Sequence, residues 1–349
     1  MNRDAQPVLV TGATGFVGRH LVQRLCEEGR DRVRVFIRNR QKVGVFQGLP
    51  VDVVVGDLAD EDHVAAAADG VEVIYHLAAA KDVPWAEHVR GTIRGTANVV
   101  RATLRQPGTR LVHMSSLAVY GIPSRSQRVL SEDAPYADSD VTVYARAKIE
   151  AEQIVRGAVA RQGLAATILR PGIIYGPGSS VTLSKIGCRI GDIFFVVGMR
   201  AVTLPLVYIG NVVEAILLAG RTARGCGQIY HVVDDDCPTQ TDYIRRLNAA
   251  GPVHYAYMRV PYAVAAAVGW TARRLGRYQR TLASLGATLS PLHLRSCTTE
   301  LVFDTSKIKR ELGWQPDTRI EEHLRRTCAA AGVDADRAFS YDISQQGAV

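Results

Sequence analysis

Gly12, Gly15 and Gly18 constrain the fold of this chain more than any other feature. They follow a short apolar strand and open a helix predicted over residues 16–28. Where a helix begins at the end of a strand, a backbone without side chains lets a phosphate group approach the positive end of the helix closely. The loop over residues 11–18 is therefore predicted to hold the pyrophosphate of a dinucleotide.

Predicted strands and helices alternate along the first half of the chain. The strands are predicted over 8–10, 32–37, 51–55, 73–77, 110–114 and 166–169, and the later helices over 61–68, 92–104 and 143–161. Such alternation is typical of a parallel sheet with helices on both faces. The sequence thus predicts an α/β fold with a Rossmann-type doubly wound parallel sheet and a smaller C-terminal substrate lobe.

The alternation stops in the second half of the chain. Residues 179–200 are apolar and are predicted to be irregular, and residues 262–275 are predicted to form a helix with a basic end. We predict a dinucleotide-binding domain over 1–178 and a substrate-binding lobe over 179–349, which covers the carboxyl edge of the sheet, where such sheets bind ligands. Residues 205–220 are expected to pack back on the first domain.

Composition excludes several classes of protein. The six cysteines are far apart and form neither a disulfide framework nor a zinc-binding spacing, so no metal site is predicted and a reducing cytoplasm fits best. The first residues lack the apolar core of a signal peptide. The longest uncharged runs, at 201–213 and 260–272, contain about thirteen residues, fewer than a membrane span needs. A soluble, cytoplasmic protein is expected.

The formal net charge of +8 raises the question of an anionic partner. The arginines are scattered and no basic stripe alternates with aromatic residues, so nucleic-acid binding is not expected. Positive charge also favours a phosphate-bearing cofactor or an anionic membrane surface.

Tyr144 and Lys148 form a second motif. Residues four apart on a helix share one face. A free phenol titrates near pH 10, so a phenol that acts as a base near neutrality needs its pKa lowered by about three units. A neighbouring ammonium group supplies part of that shift. The pair lies downstream of both the glycine loop and the Ser115-Ser116 pair.

These motifs, in this order, resemble the extended short-chain dehydrogenase/reductase superfamily, which includes the NAD-dependent epimerase/dehydratase family and its 3β-hydroxysteroid dehydrogenase-like branch. The resemblance covers residues 8–316. It implies an enzyme in which Ser116, Tyr144 and Lys148 are catalytic, with the Ser116 hydroxyl bonded to the reacting oxygen. Ser115 is expected to cap backbone instead.

The resemblance also implies which residues bind the dinucleotide: Gly12, Thr14, Gly15, Phe16, Val17, Arg38, Asp57, Leu58, Leu77, Ala78, Ala79, Tyr144, Lys148, Pro171, Ile173 and Ile174. Asp57 and Leu58 belong to a segment that resembles the one in contact with adenine, and Pro171, Ile173 and Ile174 to one that resembles the strand exit around the nicotinamide. Arg38 ends the second strand, where an acidic residue would accept hydrogen bonds from the adenosine ribose. Because a guanidinium group suits a 2′-phosphate better, NADP is predicted in preference to NAD. His76 is expected to be a packed strand-end residue.

Some positions depart from the family pattern. Thr92 stands where the family often has an asparagine, and its reach is shorter. Leu117 and Ala118 stand where dehydratases of this class have an aspartate and a glutamate, and decarboxylases retain a glutamate at the second of these positions. A hydrocarbon side chain cannot act as an acid or base, so both reactions are disfavoured.

Two enzyme functions remain open on these residues. The first is a dehydrogenase or ketoreductase for a hydrophobic secondary alcohol or ketone, because residues 206–215 resemble the 3β-hydroxysteroid dehydrogenase-like branch. The second is a sugar-nucleotide epimerase, since the segment from Ser116 to Gly121 is compatible with both. A non-catalytic NADP-binding sensor is a minor alternative, because such proteins commonly lose the tyrosine or the lysine.

The second lobe bears on the substrate. Leu204 stands where sugar-nucleotide enzymes of this class commonly hold the diphosphate with an arginine. Leu204, Leu206 and the run from Phe194 to Val197 suit an apolar, sterol- or lipid-like molecule. The alternative is that these residues are ordinary core and that another arginine, such as Arg189, Arg200 or Arg295, binds a diphosphate.

Three predicted helices indicate two partners, a second copy of the chain and a membrane surface. The helices over 92–104 and 143–161 resemble those that pair into a dimeric bundle in this family, so a homodimer is expected. The helix over 262–275 is expected to rest on a membrane surface and to admit a lipid-like substrate.

Overall fold

A computed structural model describes residues 7–29, 32–80, 83–123, 129–138, 141–276 and 285–331. The strands are β1 (Val8–Thr11), β2 (Val33–Ile37), β3 (Val51–Val55), β4 (Val73–His76), β5 (Arg110–Met114), β6 (Val129–Leu130), β7 (Ala166–Pro171), β8 (Ile173–Tyr175), β9 (Gly187–Ile190), β10 (Ile193–Val197), β11 (Leu206–Tyr208), β12 (Ile229–Val232), β13 (Ala256–Val260) and β14 (Val302–Phe303). The helices are α1 (Phe16–Glu27), α2 (Glu61–Ala68), α3 (Trp85–His88), α4 (Gly95–Leu104), α5 (Val143–Gln162), α6 (Ile209–Arg221), α7 (Gln240–Ala250), α8 (Tyr262–Leu275), α9 (Pro291–Thr298), α10 (Ser306–Leu312) and α11 (Ile320–Ala331).

Seven parallel strands form the large sheet, in the order β12-β7-β5-β4-β1-β2-β3. One apolar core lies between the sheet and helices α1, α6 and α10, and a second lies between the opposite face and α2, α4 and α5. Burial on both faces explains why β1 and β4 are apolar along most of their length. The predicted doubly wound fold is confirmed.

The chain returns to the large sheet after residue 178. Strand β8 pairs with β11, α6 packs against α1, and β12 adds the seventh strand beside β7. The predicted division between residues 178 and 179 stays a prediction. The part of the second half that packs on the large sheet extends beyond the expected residues 205–220, since β12 also joins that sheet.

The second lobe contains a small three-stranded sheet in the order β13-β10-β9. The prediction that residues 179–200 are irregular is wrong, because β9 and β10 form an antiparallel pair there. Apolar residues on both faces of β10 hide the alternation by which a strand is recognised. Helices α7 and α11 cover one side of this lobe.

None of the helices in the described ranges combines the length and the apolar character needed to cross a membrane.

Candidate active site

The glycine loop joins β1 to α1 in the geometry that a pyrophosphate requires. Gly12 has φ +71°, and a Cβ there would lie 2.6 Å from the backbone nitrogen of Ala78. A Cβ on Gly18 would lie 2.2 Å from the Gly12 carbonyl oxygen. Gly15 is the N-cap of α1 and supplies no side-chain cap. Both tight contacts demand glycine, and the loop therefore fits the close approach of a dinucleotide phosphate to the helix N-terminus.

The exit of β4 lies directly against this loop. His76 is fully buried between Thr11 and Thr96, with its Nδ1 2.7 Å from Thr11 Oγ1 and its Nε2 3.0 Å from Thr96 Oγ1. Because the Thr96 hydroxyl donates to the Thr92 carbonyl, Nε2 carries the proton and Nδ1 accepts from Thr11. Burial, assisted by the charge of Lys148, lowers the pKa of His76 to about 3. His76 is thus a neutral, packed strand-end residue, as predicted.

Thr92 occupies a π-helical turn, Val89–Arg94, between α3 and α4. Its Oγ1 accepts a hydrogen bond of 3.0 Å from the backbone nitrogen of Ala80. The hydroxyl therefore ties the segment after β4, in which Leu77, Ala78 and Ala79 were predicted to line the cofactor, to the helix behind it. Turns of this kind occur often at functional sites.

The predicted adenine-binding residues Asp57 and Leu58 follow β3. Asp57 Oδ2 lies 2.5 Å from Arg90 Nη2, and its Oδ1 accepts from the Ala59 nitrogen. Asn98 of α4 donates to the Leu58 carbonyl. These contacts hold the turn in place. Because the Asp57 carboxylate has partners within the protein, it is not an open acceptor for the cofactor.

Arg38 follows β2 and is exposed. Its side chain is 72% exposed, and its Nη1 lies 4.0 Å from Glu87 Oε2. An ion pair so long and so exposed is weak. The guanidinium is thus available to an incoming phosphate.

Tyr144 and Lys148 lie on successive turns of α5, near its N-terminus. The Lys148 ammonium is buried, donates to the Met114 carbonyl at 2.7 Å, and lies 6.0 Å from the centre of the Tyr144 ring. Burial lowers the pKa of Lys148 to about 8, while Glu152 acts in the opposite direction. Lys148 therefore lies at the end of β5, next to the Ser115-Ser116 segment, with the Tyr144 ring one helical turn away.

The cap expected from Ser115 is provided by Ser116 instead. Ser116 Oγ accepts from the Ala118 nitrogen at 3.1 Å and caps the short 3₁₀ helix Leu117–Tyr120. Ser115 is buried, and its Oγ has no hydrogen-bond partner among the described residues. The expectation that Ser115 caps backbone is wrong. Ser116 still has a hydroxyl proton to donate and is the more accessible of the two.

Sequence reasoning missed the buried ion pair behind the site. Arg170 of β7 contacts Glu152 of α5 with Nη2–Oε1 at 2.5 Å and Nε–Oε2 at 3.2 Å, and neither side chain is exposed. Arg170 also donates to Tyr120 and to the Glu132 carbonyl. One signal was present: a single arginine interrupts an otherwise apolar strand, and a glutamate follows Lys148 by one turn.

The predicted nicotinamide-side residues Pro171, Ile173 and Ile174 lie where β7 passes into β8. A Cβ on Gly172 between them would lie 2.2 Å from the Pro205 carbonyl oxygen, so this exit packs closely against the start of β11. Pro171 is buried, whereas the two isoleucines are half-buried.

Of the six apolar residues expected to line the substrate site, five are instead core, and Phe195 is half-buried. Leu204, Leu206, Phe194 and Val196 pack in one cluster, and Val197 packs in another, each at most 1% exposed. A cleft wall presents side-chain surface to its ligand, and these side chains present none. They therefore carry no information about the substrate.

A glycine loop at the carboxyl edge of a parallel sheet, with Tyr144 and Lys148 on a neighbouring helix, is the arrangement of an enzyme of the extended short-chain dehydrogenase/reductase type. The profile of the NAD dependent epimerase/dehydratase family matches residues 8–232. The chain belongs to that family and is a NAD-dependent oxidoreductase in the general sense.

Two relatives and one solved structure illustrate the similarity. The 3 beta-hydroxysteroid dehydrogenase/Delta 5→4-isomerase of Mycobacterium tuberculosis is 28% identical over 88% of this chain and 86% of its own length. The 2-alkyl-3-oxoalkanoate reductase of Shewanella oneidensis is 28% identical over 92% of this chain and 85% of its own. UDP-glucuronic acid 4-epimerase from Bacillus cereus, solved with UDP-glucuronic acid and NAD, has a TM-score of 0.72 at 18% identity, over 94% of this chain and 99% of its own.

Proposed function

We propose that this enzyme prefers NADP and transfers a hydride between nicotinamide and a secondary alcohol or ketone of a hydrophobic, sterol- or lipid-like substrate. The observation that carries the proposal is the buried Lys148 beside Tyr144 and Ser116, with hydrocarbon side chains at Leu117 and Ala118. Such a set moves one proton at a substrate oxygen and offers no second acid or base for dehydration. The names of the two relatives, a hydroxysteroid dehydrogenase and an oxoalkanoate reductase, support the same substrate class.

In this proposal the bound nicotinamide supplies or accepts the hydride. The Tyr144 phenol donates a proton to the substrate oxygen during reduction and removes it during oxidation. The Ser116 hydroxyl donates a hydrogen bond to the same oxygen, since the Ser116 oxygen already accepts from the Ala118 nitrogen. Lys148, held by the Met114 carbonyl, places its positive charge where it favours the phenolate form of Tyr144.

Cofactor preference is tested at Arg38. A guanidinium forms charge-assisted hydrogen bonds with a 2′-phosphate, which an unphosphorylated ribose cannot offer. We expect Arg38→Asp to raise the Kd for NADP by about tenfold or more, with NAD affected far less, in fluorescence titrations. Arg224→Asp, at an exposed arginine in the 3₁₀ helix Ala223–Gly225 after α6, is the matched control. Tighter binding of NAD than of NADP by the unmutated enzyme would refute the NADP preference.

The substrate class is tested against the epimerase, which is the second candidate because the Ser116 segment fits both reactions and a solved epimerase shares the fold. We expect NADPH oxidation with at least one ketone from a panel of 3-oxosteroids and 2-alkyl-3-oxoalkanoates. We expect no saturable heat of binding with UDP or dTDP sugars when cofactor is present. Saturable sugar-nucleotide binding and epimerisation without net oxidation of the cofactor would replace this proposal with the epimerase.

A further inference from the structure

Helix α8 has its large apolar side chains on the outside. Of its fourteen residues only Ala265, Gly269 and Ala272 are buried. The close packing demands small residues, because a Cβ on Gly269 would lie 2.4 Å from the Leu289 carbonyl oxygen. The exposed residues include Tyr262, Val264, Val268, Trp270 and Leu275, with Trp270 at 55% exposure. A surface helix of a soluble domain normally has the opposite arrangement.

The small sheet beside α8 extends this apolar surface. Strand partners directly opposite each other share a face, and Ile193 lies opposite Ile190 while Phe195 lies opposite Met258. Ile190, Ile193 and Met258 are exposed and Phe195 is half-buried. At its far end the same face continues to Val197, which packs with Ala265 of α8. Helix and sheet face are therefore adjacent parts of one apolar surface, larger than scattered surface residues would form.

The charge of the whole chain is concentrated in the same part of the sequence. Residues 243–299 contain eight arginines and no aspartate or glutamate. Since the chain has 42 basic and 34 acidic residues, the remainder has 34 of each and is neutral. Arg273 and Arg274 occupy the last turn of α8, and the Arg274 guanidinium lies 4.7 Å above the Trp270 ring. Arg245 and Arg246 pair with Asp242 and Asp236, and Asp192 lies in the turn between β9 and β10. The end of α8 at Arg273 and Arg274 has no acidic residue nearby in sequence, so the cationic border of the apolar surface lies there.

We propose that α8 and the adjoining face of β9, β10 and β13 form a docking surface for a bilayer that contains anionic lipid. The apolar side chains enter the interfacial region and the arginines bind lipid phosphates, with the helix in the membrane plane. A second copy of the chain is a poorer occupant, since two such surfaces would bring like charges together. Nucleic acid is also anionic, but its phosphate backbone would not bury the exposed valine and leucine side chains of α8. This inference does not depend on the proposed function.

The experiment measures sedimentation of the full chain with sucrose-loaded vesicles of phosphatidylcholine, alone or with about a third phosphatidylglycerol. We expect binding to the anionic vesicles, a blue shift of tryptophan fluorescence that Trp270→Phe removes, and a loss of binding of about fivefold or more between about 50 mM and 500 mM salt. Val268→Glu and Arg274→Glu should each lower the bound fraction severalfold.

Matched controls distinguish a loss of the docking surface from a general effect of an added negative charge. Val45 is 43% exposed against 44% for Val268, so Val45→Glu introduces the same charge at the same exposure on the other lobe. Arg224→Glu matches Arg274→Glu. Both controls should bind like the unmutated chain. The proposal is overturned if anionic vesicles do not bind, if the controls lose binding equally, if Val268→Glu instead abolishes self-association measured by sedimentation velocity, or if DNA binds where vesicles do not.

Discussion

Lys148 is a cation placed in a dry environment. Its ammonium is buried and donates to the Met114 carbonyl, and desolvation lowers its pKa to about 8. A lysine in such surroundings destabilises the folded state as long as it is charged. The arrangement makes sense if the charge is needed beside Tyr144, since active sites often retain groups that reduce stability.

Replacement of Lys148 should therefore separate stability from activity. The folded-state pKa is below the ordinary value near 10.5, so the unfolded chain binds more protons between pH 8 and 10.5, and stability contributed at this site rises with pH across that window. We expect Lys148→Met to raise the free energy of unfolding by about 1–2 kcal/mol at pH 7, to lose this advantage by about pH 10, and to abolish turnover. Urea unfolding at several pH values measures this. A less stable Lys148→Met at pH 7 would contradict it.

The serines and threonines show the limit of residue-level prediction. Both Ser115 and Ser116 were expected to place a hydroxyl at the end of the strand. Which of the two caps the next turn depends on backbone dihedral angles, which the residue types do not determine. Thr92 was noted as a departure from the family pattern, and its bond to the Ala80 nitrogen was not foreseeable. Residue type predicted the presence of these groups, and only the fold decides their partners.

At the scale of elements, α5 joins the chemistry to the sheet. Tyr144, Lys148 and Glu152 follow one another on successive turns, and Glu152 binds Arg170 in the strand beneath. The pair lies 18 residues apart in sequence and is invisible to any local pattern. It fixes the helix against β7, whose exit carries the predicted nicotinamide-binding residues.

The buried pair predicts a large effect of a small change. Glu152→Gln leaves the Arg170 guanidinium without a counter-charge in the interior, so we expect a loss of about 3–5 kcal/mol in the free energy of unfolding. Glu150→Gln is the matched control, because Glu150 pairs with Arg146 on the same helix at 36% and 62% exposure and should cost less than about 1 kcal/mol. Equal losses of unfolding free energy in the two variants, measured by urea unfolding, would show that loss of the buried pair costs no more than loss of an exposed one.

The strands were predicted correctly where an apolar run was bounded by turn-forming residues, and they were missed where the sequence showed neither clear bounds nor alternation. The glycine loop and the five strands from β1 to β5 were predicted within one or two residues of their observed bounds. In the 179–200 segment, short strands with two apolar faces gave no alternation. The same ambiguity misled the assignment of Leu204 and Leu206 to the substrate site, since an apolar side chain fits a core as well as it fits a cleft.

At the scale of the molecule, the two lobes differ in structure, and the surplus positive charge lies in one segment of the second. The lobe built on the large sheet carries the glycine loop and the Tyr144–Lys148 pair, and the segment 243–299 carries the surplus positive charge. The order of elements was predictable because parallel strands need helical crossovers. The predicted homodimer and cytoplasmic location stay predictions, and sedimentation velocity of the unmutated chain would test the first.

The central claim is that Tyr144 transfers the proton that accompanies hydride transfer. Tyr144→Phe removes only the hydroxyl, so we expect kcat with the best ketone of the panel to fall by at least about a hundredfold while the Kd for cofactor changes less than about threefold. Tyr257→Phe, at an exposed tyrosine of β13, should keep both values. A Tyr144→Phe enzyme with near-normal kcat would contradict the account at its core.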